Sequence, residues 1–157
     1  CEVDRYNVLT GVWETLPEPQ TEFCVSDHSG VAADDGTIYL FGGWNSSYYS
    51  FDHTVVVTVD GDSLTYSTEA DMIQHRGDHV CTRYLGTDMV YCMGGFYFDG
   101  AEYRSLASVE IFDLTTKEWT SGAPMTVARA DFAVGILNGR ITVMGGEDEN
   151  GPMEDME

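Results

Sequence analysis

Basic residues are scarce in this sequence. Of its 157 residues only 7 are Lys or Arg, with Lys117 the single lysine, against 27 Asp or Glu, so the formal net charge is −20. Binding to phosphate groups requires clustered Lys and Arg. The composition therefore argues against nucleic acid and anionic membrane surfaces as partners, and the self-repulsion of so many carboxylates favours solubility.

Long apolar runs are also missing. No stretch of about 18 apolar residues occurs, so we expect no membrane insertion. Residues 1–5 have the features of neither a signal peptide nor a transit peptide, so such a leader is either not needed or already removed. The apolar fraction of 43%, with 12% aromatic residues, is that of an ordinary globular protein and argues against wholesale disorder.

Signatures of common catalytic chemistry are absent as well. The sequence has no CxxC pair of the kind that structural zinc sites use, no G-x-S-x-G, no phosphate-binding glycine loop and no spaced His/Cys/Asp triad. We therefore assign no catalytic, cofactor-binding or metal-binding residue. The sequence favours a protein that is not an enzyme.

The apolar pattern predicts short β-strands. Apolar residues alternate with period two in brief runs, such as 37–41, 89–93 and 140–144, which Gly, Asn and Asp interrupt. Turn residues precede two of these runs, at 34–36 and at Asn138-Gly139, and both Asn and Gly accept positive φ. The predicted fold class is all-β.

An internal repeat of about 50 residues organises the chain. Three predicted strands each end at a glycine pair, and successive pairs are 52 and 51 residues apart. An aromatic residue six positions after a polar turn residue keeps the same period, and so does an arginine before the first strand of a unit. The repeated positions are Gly42, Gly43, Gly94, Gly95, Gly145 and Gly146, then Trp13, Tyr66 and Trp119, and then Arg76 and Arg129.

This pattern resembles the kelch repeat, whose hallmarks are the Gly-Gly pair, a Tyr before it and the spaced Trp. The resemblance covers nearly the whole chain and departs from the pattern at Tyr66, where Trp is expected, and at Thr142, where Tyr is expected. It implies that each unit is a four-stranded antiparallel blade of a kelch-type β-propeller. It also implies that Trp13 and Trp119 are buried between blades or strands.

The phase of the repeat divides the chain into four parts. Residues 1–20 are expected to hold strands three and four of a partial blade, residues 21–73 and 74–125 two full blades, and residues 126–157 strands one and two of another partial blade. Because propellers close with four to eight blades, this amounts to about half of a ring. The expected explanation is a piece of a larger propeller; the alternative is two copies that close one six-bladed ring.

The cysteines and one sequon bear on the compartment. Counting outward from the turn at 86–87 places Cys81 opposite Cys92 on adjacent antiparallel strands, where a disulfide can form; two buried thiols are the alternative. Cys1 and Cys24 form a further candidate pair. Asn45 begins a glycosylation sequon, which adds a glycan as a candidate partner. Together these favour a secreted, cell-surface or organelle-lumen protein, with the cytoplasm as the alternative.

Two polar segments are candidates for ligand binding, each with a structural interpretation that we prefer. Residues 75–79, His-Arg-Gly-Asp-His, offer two histidines and a carboxylate to a metal and contain an integrin-type tripeptide, but Arg76 is already explained as the repeat's own arginine. Residues 147–151 resemble a calcium loop in composition without completing its pattern. A solvated acidic loop is the preferred interpretation there, with weak calcium binding as the alternative.

The best candidate binding surface consists of two aromatic loops that follow the glycine pairs. Exposed Tyr and Trp offer large contact area at low entropic cost and suit protein or sugar partners; packing of the rings between blades is the alternative. The candidate residues are Trp44, Tyr48, Tyr49, Phe96, Tyr97, Phe98 and Tyr103.

We interpret the chain as a protein-interaction or scaffold module, an acidic propeller within a larger assembly that binds a partner protein through its inter-strand loops. This interpretation rests on the resemblance, since the family mostly binds. One alternative is part of an extracellular kelch-type enzyme, a galactose-oxidase-like copper oxidase or a carbohydrate-active enzyme, with catalytic residues mostly outside this chain. Another is an intracellular adaptor for ubiquitin ligation, which would have reduced cysteines and an unglycosylated Asn45.

Overall fold

The computed structural model describes residues 2–17 and 23–153, and the described residues form β-strands, turns and loops without an α-helix. The strands are β1 (Val3–Asn7), β2 (Val12–Leu16), β3 (Ser29–Ala32), β4 (Ile38–Phe41), β5 (Thr54–Asp60), β6 (Ser63–Thr68), β7 (Val80–Arg83), β8 (Met89–Met93), β9 (Phe96–Phe98), β10 (Tyr103–Ser105), β11 (Val109–Asp113), β12 (Trp119–Ser121), β13 (Ala133–Leu137), β14 (Arg140–Met144), β15 (Glu147–Asp148) and β16 (Gly151–Pro152). The predicted all-β class is confirmed. In the described part of the chain, no helix is long and apolar enough to cross a membrane.

Two four-stranded antiparallel sheets form the centre of the molecule. The first blade has the strand order β3-β4-β5-β6, and the second blade has the order β7-β8-β11-β12. Strands β1 and β2 pair with each other, as do β13 and β14, while β9–β10 and β15–β16 are small separate hairpins. Within each blade, short turns connect the first strand to the second and the third to the fourth, whereas longer loops, which follow the glycine pairs, connect the second strand to the third.

The turns form where the sequence contains the residues that tolerate their geometry. At the β13–β14 turn, Asn138 and Gly139 adopt φ values of 50° and 72°, as the Asn-Gly dipeptide predicts. The turn between β7 and β8 fixes the register that places Cys81 opposite Cys92. A disulfide joins these two cysteines, whose Cα atoms are 4.0 Å apart, so the predicted bridge is confirmed. The other candidate pair includes Cys1, which lies outside the described residues.

The apolar core lies between sheets rather than within one. Between the first and second blades, Tyr39 and Phe41 pack with Val90 and Phe112, and the rings of Phe41 and Phe112 have centroids 5.6 Å apart. A second cluster, built on Met93, Phe132 and Val143, joins the second blade to the β13–β14 pair. Stacking of small sheets face to face is how blades hide apolar surface that no single sheet can bury.

The two predicted tryptophans have different environments. Trp119 is half-buried, and its indole Nε1 donates to the carbonyl of Ala70 at 2.9 Å and to Thr54 Oγ1 at 3.1 Å, both in the first blade. Trp13 is 66% exposed, so the prediction of its burial was wrong. Among the described residues its ring packs against Tyr6 on the paired strand, with centroids 5.0 Å apart, and no sheet is stacked over it as the first blade is over Trp119.

Candidate functional site

The glycine pairs bring the chain of one blade against the entry of the next. Gly42 and Gly43 have φ values of 58° and 101°, and the amide of Gly43 donates to the carbonyl of Arg76 at 2.8 Å. A Cβ on Gly43 would lie 2.6 Å from the carbonyl oxygen of Ser26, so no side chain fits there. Gly94 and Gly95 repeat this arrangement in the second blade. The loops that follow each pair therefore leave the blade at the same end of the molecule.

The first loop is held by its own polar groups. The Asn45 side-chain oxygen accepts hydrogen bonds from the amides of Ser47 and Tyr49, at 2.9 and 3.0 Å, which is an Asx turn. Tyr48 adopts a φ of 59°. In this tight turn the side chains of Tyr48 and Tyr49 point outward and are 69% and 58% exposed. Glycosylation of Asn45 stays a prediction.

The second loop forms a hairpin that the sequence analysis did not identify. Phe98 pairs with Tyr103 in β9 and β10, and the Asp99 side chain accepts from the amides of Ala101 and Glu102 at the turn. The signal was present, because Asp99-Gly100 between alternating aromatic residues is a hairpin pattern. The hairpin holds Phe96, Tyr97 and Phe98 half-buried and leaves Tyr103 exposed.

These two loops meet and form one aromatic surface. The ring centroids of Tyr49 and Phe98 lie 6.0 Å apart, and those of Phe98 and Tyr103 lie 5.2 Å apart. Their tilted and edge-on arrangement is the favourable one for aromatic pairs. We call Tyr48, Tyr49, Phe98 and Tyr103 the aromatic surface. Side chains that lie in different blades are thus brought to one exposed patch.

Trp44 supports this surface from below and is not part of it. It is only 5% exposed, packs edge-on to Tyr103 with centroids 5.6 Å apart, and covers Gly77, where any side chain would collide with its ring. Its Nε1 donates to Asp78 Oδ2 at 2.8 Å. The prediction of Trp44 as an exposed contact residue was wrong, because the next blade supplies both an apolar bed and a hydrogen-bond acceptor.

A row of aspartates, which sequence reasoning missed, lies beside the aromatic surface. Asp27, Asp78 and Asp131 occupy the same place in successive units and have φ values of 52°, 55° and 51°. The amide of Asp78 donates to the carbonyl of Asp27, and the amide of Asp131 donates to the carbonyl of Asp78, each at 3.0 Å. The repeat spacing of Asp residues before each first strand was the signal that could have found them.

Burial is the main influence on the pKa values of the Asp78 and Asp131 carboxyls in this row. Desolvation raises the pKa of the Asp78 carboxyl to about 6. The hydrogen bond from Trp44 opposes this change, while the charges of Asp131 and Asp27 add to it. Desolvation likewise raises the pKa of Asp131. The row is therefore a site where a cation, or a cationic side chain, would relieve repulsion between carboxylates.

Arg76 is part of the structural frame. It is fully buried, donates to the carbonyl of Gly94 at 2.8 Å and forms an ion pair with Glu110, which is 3% exposed. Glu110 also accepts from the amide of Ile73 at 2.7 Å. Arg129 occupies the equivalent position and donates to the carbonyl of Gly145 at 2.7 Å. The integrin-type tripeptide cannot present a buried arginine, so the structural interpretation of Arg76 is confirmed.

The two histidines of segment 75–79 face different surroundings. The Nδ1 atom of His75 is 2.6 Å from Ser50 Oγ, whereas the His79 ring is buried near Cys81 and Cys92. Burial lowers the pKa of His79 to about 3, so its imidazole is neutral. Within residues 2–17 and 23–153, His75 and His79 do not share an ion-binding arrangement.

Two further clusters contain donor atoms that suit cations. At the surface, His53 Nδ1 is 3.4 Å from a carboxylate oxygen of Asp52 and of Asp71. The acidic segment 147–151 forms the β15–β16 hairpin, where the Asp148 carboxylate accepts from the amide of Asn150 at 2.7 Å. Calcium binding there stays a prediction.

Comparisons with known proteins agree with the fold. The family model for the Kelch motif matches residues 87–126. The Kelch-like protein terF of Aspergillus terreus is 26% identical over 93% of this chain and 32% of its own length, and an F-box/kelch-repeat protein of Arabidopsis thaliana is 30% identical over 83% and 32%. The Kelch repeat and BTB domain-containing protein A55 of vaccinia virus is 25% identical over 92% of this chain and 24% of its own length.

The match to a solved structure supports the same conclusion. The structure of YjhT, a kelch propeller, superposes with a TM-score of 0.81 at 14% identity, over 99% of this chain and 48% of that chain. At this identity the likeness shows the fold alone. The chain spans about a third of the length of the first two curated relatives and about a quarter of the third. With its glycine pairs and four-stranded blades, the chain is a segment of kelch-type β-propeller fold that contains a Kelch motif at residues 87–126.

Proposed function

We propose that this chain is a non-catalytic module that binds a partner protein through the aromatic surface. The observation that carries the proposal is the convergence of Tyr49 from one blade with Phe98 and Tyr103 from the next, beside the exposed Tyr48. Exposed tyrosines are enriched at the centres of protein interfaces, because a rigid ring with a polar tip gives much contact for little lost entropy. The kelch, F-box and BTB names of the relatives are consistent with protein–protein interaction.

The charge of the neighbouring row suggests the chemistry of the partner. Trp44 connects the two features, since it packs on Tyr103 and donates to Asp78. A partner segment that carries Lys or Arg would place its cation near Asp78 while its apolar stem covers the tyrosines. Charge complementarity of this kind speeds association and selects partners.

A peptide selection with designed variants tests the proposal. A random peptide library displayed on phage is panned against the protein, and the selected peptides are then measured against a Tyr48→Ala/Tyr49→Ala variant and a Tyr103→Ala variant. The control is Leu85→Ala, because Leu85 is exposed in the β7–β8 turn at the opposite end of the blade. We expect the tyrosine variants to weaken binding by about tenfold or more and Leu85→Ala to leave it unchanged.

The opposite result would refute the proposal. If no peptide is enriched above an unrelated acidic protein, or if Leu85→Ala weakens binding more than the tyrosine variants do, the aromatic surface is not the binding site. If the enriched peptides lack Lys and Arg, the aromatic surface is still the binding site, but the proposed role of the aspartate row is refuted.

The compartment is part of the proposal. The Cys81–Cys92 disulfide and the sequon at Asn45 favour a secreted, cell-surface or lumenal location over the cytoplasm. Treatment of the native protein with an N-glycosidase tests this: a loss of mass at Asn45 is expected, and an unmodified Asn45 with reduced cysteines would contradict it.

A further inference from the structure

Three potential metal ligands are buried together in the core of the second blade. The His79 ring nitrogens and the sulfurs of Cys81 and Cys92 offer donor atoms that lie within 4.8 Å of one another. The three residues are 5%, 7% and 0% exposed. Around the cysteines the core is apolar and includes Val90 and Phe112.

The histidine of this group lacks the partner that a buried imidazole normally has. Neither Nδ1 nor Nε2 of His79 has a hydrogen-bond partner among the described residues. Leaving a buried polar group unsatisfied is unfavourable, and such a group in a native structure calls for an explanation. The histidine is packed closely between two glycines that leave no room for a side chain. A Cβ added to Gly42 would lie 3.0 Å from Cε1 of His79, and a Cβ added to Gly95 would lie 2.8 Å from the Cβ of His79.

The same positions in the next unit show that the fold does not need these residues. Phe132 stands where His79 does, two residues before Val134, and Val134 is paired with Val143 as Cys81 is paired with Cys92. An entirely apolar trio therefore fills this position without loss of the strand pairing. The strand pairing of the second blade therefore does not require the histidine or the two cysteines.

We propose that the His79–Cys81–Cys92 group, when its cysteines are reduced, binds a thiophilic d10 metal ion, Cu⁺ or Zn²⁺. Two thiolates and a neutral imidazole are the donors that such ions prefer. Three donors match a trigonal Cu⁺ ion, and they leave the fourth position of a Zn²⁺ ion for water. In the disulfide form the sulfurs are bonded to each other and do not act as thiolate ligands, so ion binding depends on the redox state.

The chemistry balances with a dithiol as reductant. Two electrons and two protons pass from the dithiol to the Cys81–Cys92 bond, which breaks to give two thiols, while the reductant leaves as its own cyclic disulfide. The ion then displaces one proton from each thiol and forms two metal–sulfur bonds. His79 contributes a nitrogen lone pair and neither gains nor loses a proton.

Metal titration of reduced and oxidised protein tests the proposal. One sample is reduced with a water-soluble phosphine, which with one water molecule converts the disulfide to two thiols and leaves as its phosphine oxide. It is then refolded from urea with Zn²⁺ or Cu⁺, so that burial does not block entry of the ion; the other sample is oxidised and refolded in the same way without reductant. Affinity is measured by competition with a chromophoric chelator, and alkylation followed by mass analysis counts the protected thiols. We expect one ion per reduced chain, protection of Cys81 and Cys92, and no binding by the oxidised chain.

The matched variants come from the next unit of the chain. His79→Phe copies Phe132 and is expected to weaken binding by about 100-fold or more, by loss of a ligand. Cys81→Val/Cys92→Val copies Val134 and Val143 and is expected to abolish it. Near-ultraviolet circular dichroism verifies that each variant is folded.

Several results would overturn the proposal. They are equal binding by the reduced protein and the double valine variant, binding by the oxidised protein, or an affinity that His79→Phe leaves unchanged. The first two would identify donors outside this group, and the third would show that the imidazole is not a ligand. Comparison of the Zn²⁺ and Cu⁺ affinities decides which ion the three donors prefer.

Discussion

The second blade and the β13–β14 pair have the same backbone pairing but different interiors. In the second blade a disulfide and a histidine lie at positions that Val134, Val143 and Phe132 occupy in the next unit. Both units bury an arginine just before their first strand, Arg76 and Arg129. The comparison teaches that the backbone and the glycine pairs define the unit, while the residues inside it are free to take up separate chemistry.

The largest expected effect concerns the charged pair of the second blade. Glu110→Ala leaves Arg76 buried without its counter-ion and removes an acceptor from the amide of Ile73. We expect the free energy of unfolding to fall by about 3–5 kcal/mol, measured by denaturant titration. Glu118→Ala, at an exposed position near the β11–β12 turn, is the control and should leave the midpoint nearly unchanged. If the unfolding midpoint of Glu110→Ala equals that of the control, the ion pair between Arg76 and Glu110 does not stabilise the fold as proposed.

Trp13 and Trp119 occupy the same position of the repeat, and replacing each one tests whether that position contributes equally to stability in both units. Trp119→Ala removes ring contacts with Phe41 and Phe112 and the hydrogen bond to Ala70, and we expect a loss of about 3 kcal/mol in the free energy of unfolding. Trp13→Ala should lose only about 0.5–1 kcal/mol, since its packing is a cross-strand contact with Tyr6. Equal losses in the two variants would show that Trp13 is buried in solution.

Replacing the two cysteines of the second blade by the valines of the next unit measures how much the disulfide contributes to stability. Cys81→Val/Cys92→Val removes the disulfide and keeps the core apolar, so we expect a loss of about 2–3 kcal/mol through the greater freedom of the unfolded chain. Denaturant unfolding of the oxidised parent is the reference. If the parent is kept reduced, its free energy of unfolding should nearly equal that of the variant. A difference that persists under reduction would mean that valine does not fit in the core.

The smallest effect concerns pH. The folded pKa of Asp78, about 6, lies above the ordinary value for an aspartate, so the folded protein binds the proton more tightly than the unfolded chain does. The resulting stability is fully present below the unfolded pKa and is lost as the pH rises through about 6. Asp78→Asn keeps an acceptor for Trp44 and lacks the part of this pH dependence that Asp78 contributes.

Unfolding of the parent and of Asp78→Asn between about pH 8 and about pH 5 tests this. The variant should be the more stable of the two at the upper pH, and its advantage should shrink as the pH falls through 6. A constant difference across the range would show that the carboxyl of Asp78 has an ordinary pKa.

The sequence sufficed for features that local chemistry determines. Glycines at a fixed period revealed the repeat, and counting from one turn placed Cys81 opposite Cys92, because register in a hairpin follows from its turn. Exposure could not be predicted in the same way. Trp13 and Trp119 occupy the same repeat position, but within residues 2–17 and 23–153 only Trp119 has a neighbouring blade over it. Trp44 is buried by residues more than 30 positions away.

The bonds between successive aspartates have a consequence for how such a protein can grow. Each joint runs from the main-chain amide of one unit to the main-chain carbonyl of the previous one, from Asp78 to Asp27 and from Asp131 to Asp78. A joint made of backbone atoms does not depend on which side chains flank it. A duplicated unit would carry the donor and the acceptor of this joint with it whatever its side chains, whereas the apolar contacts between blades would still have to match.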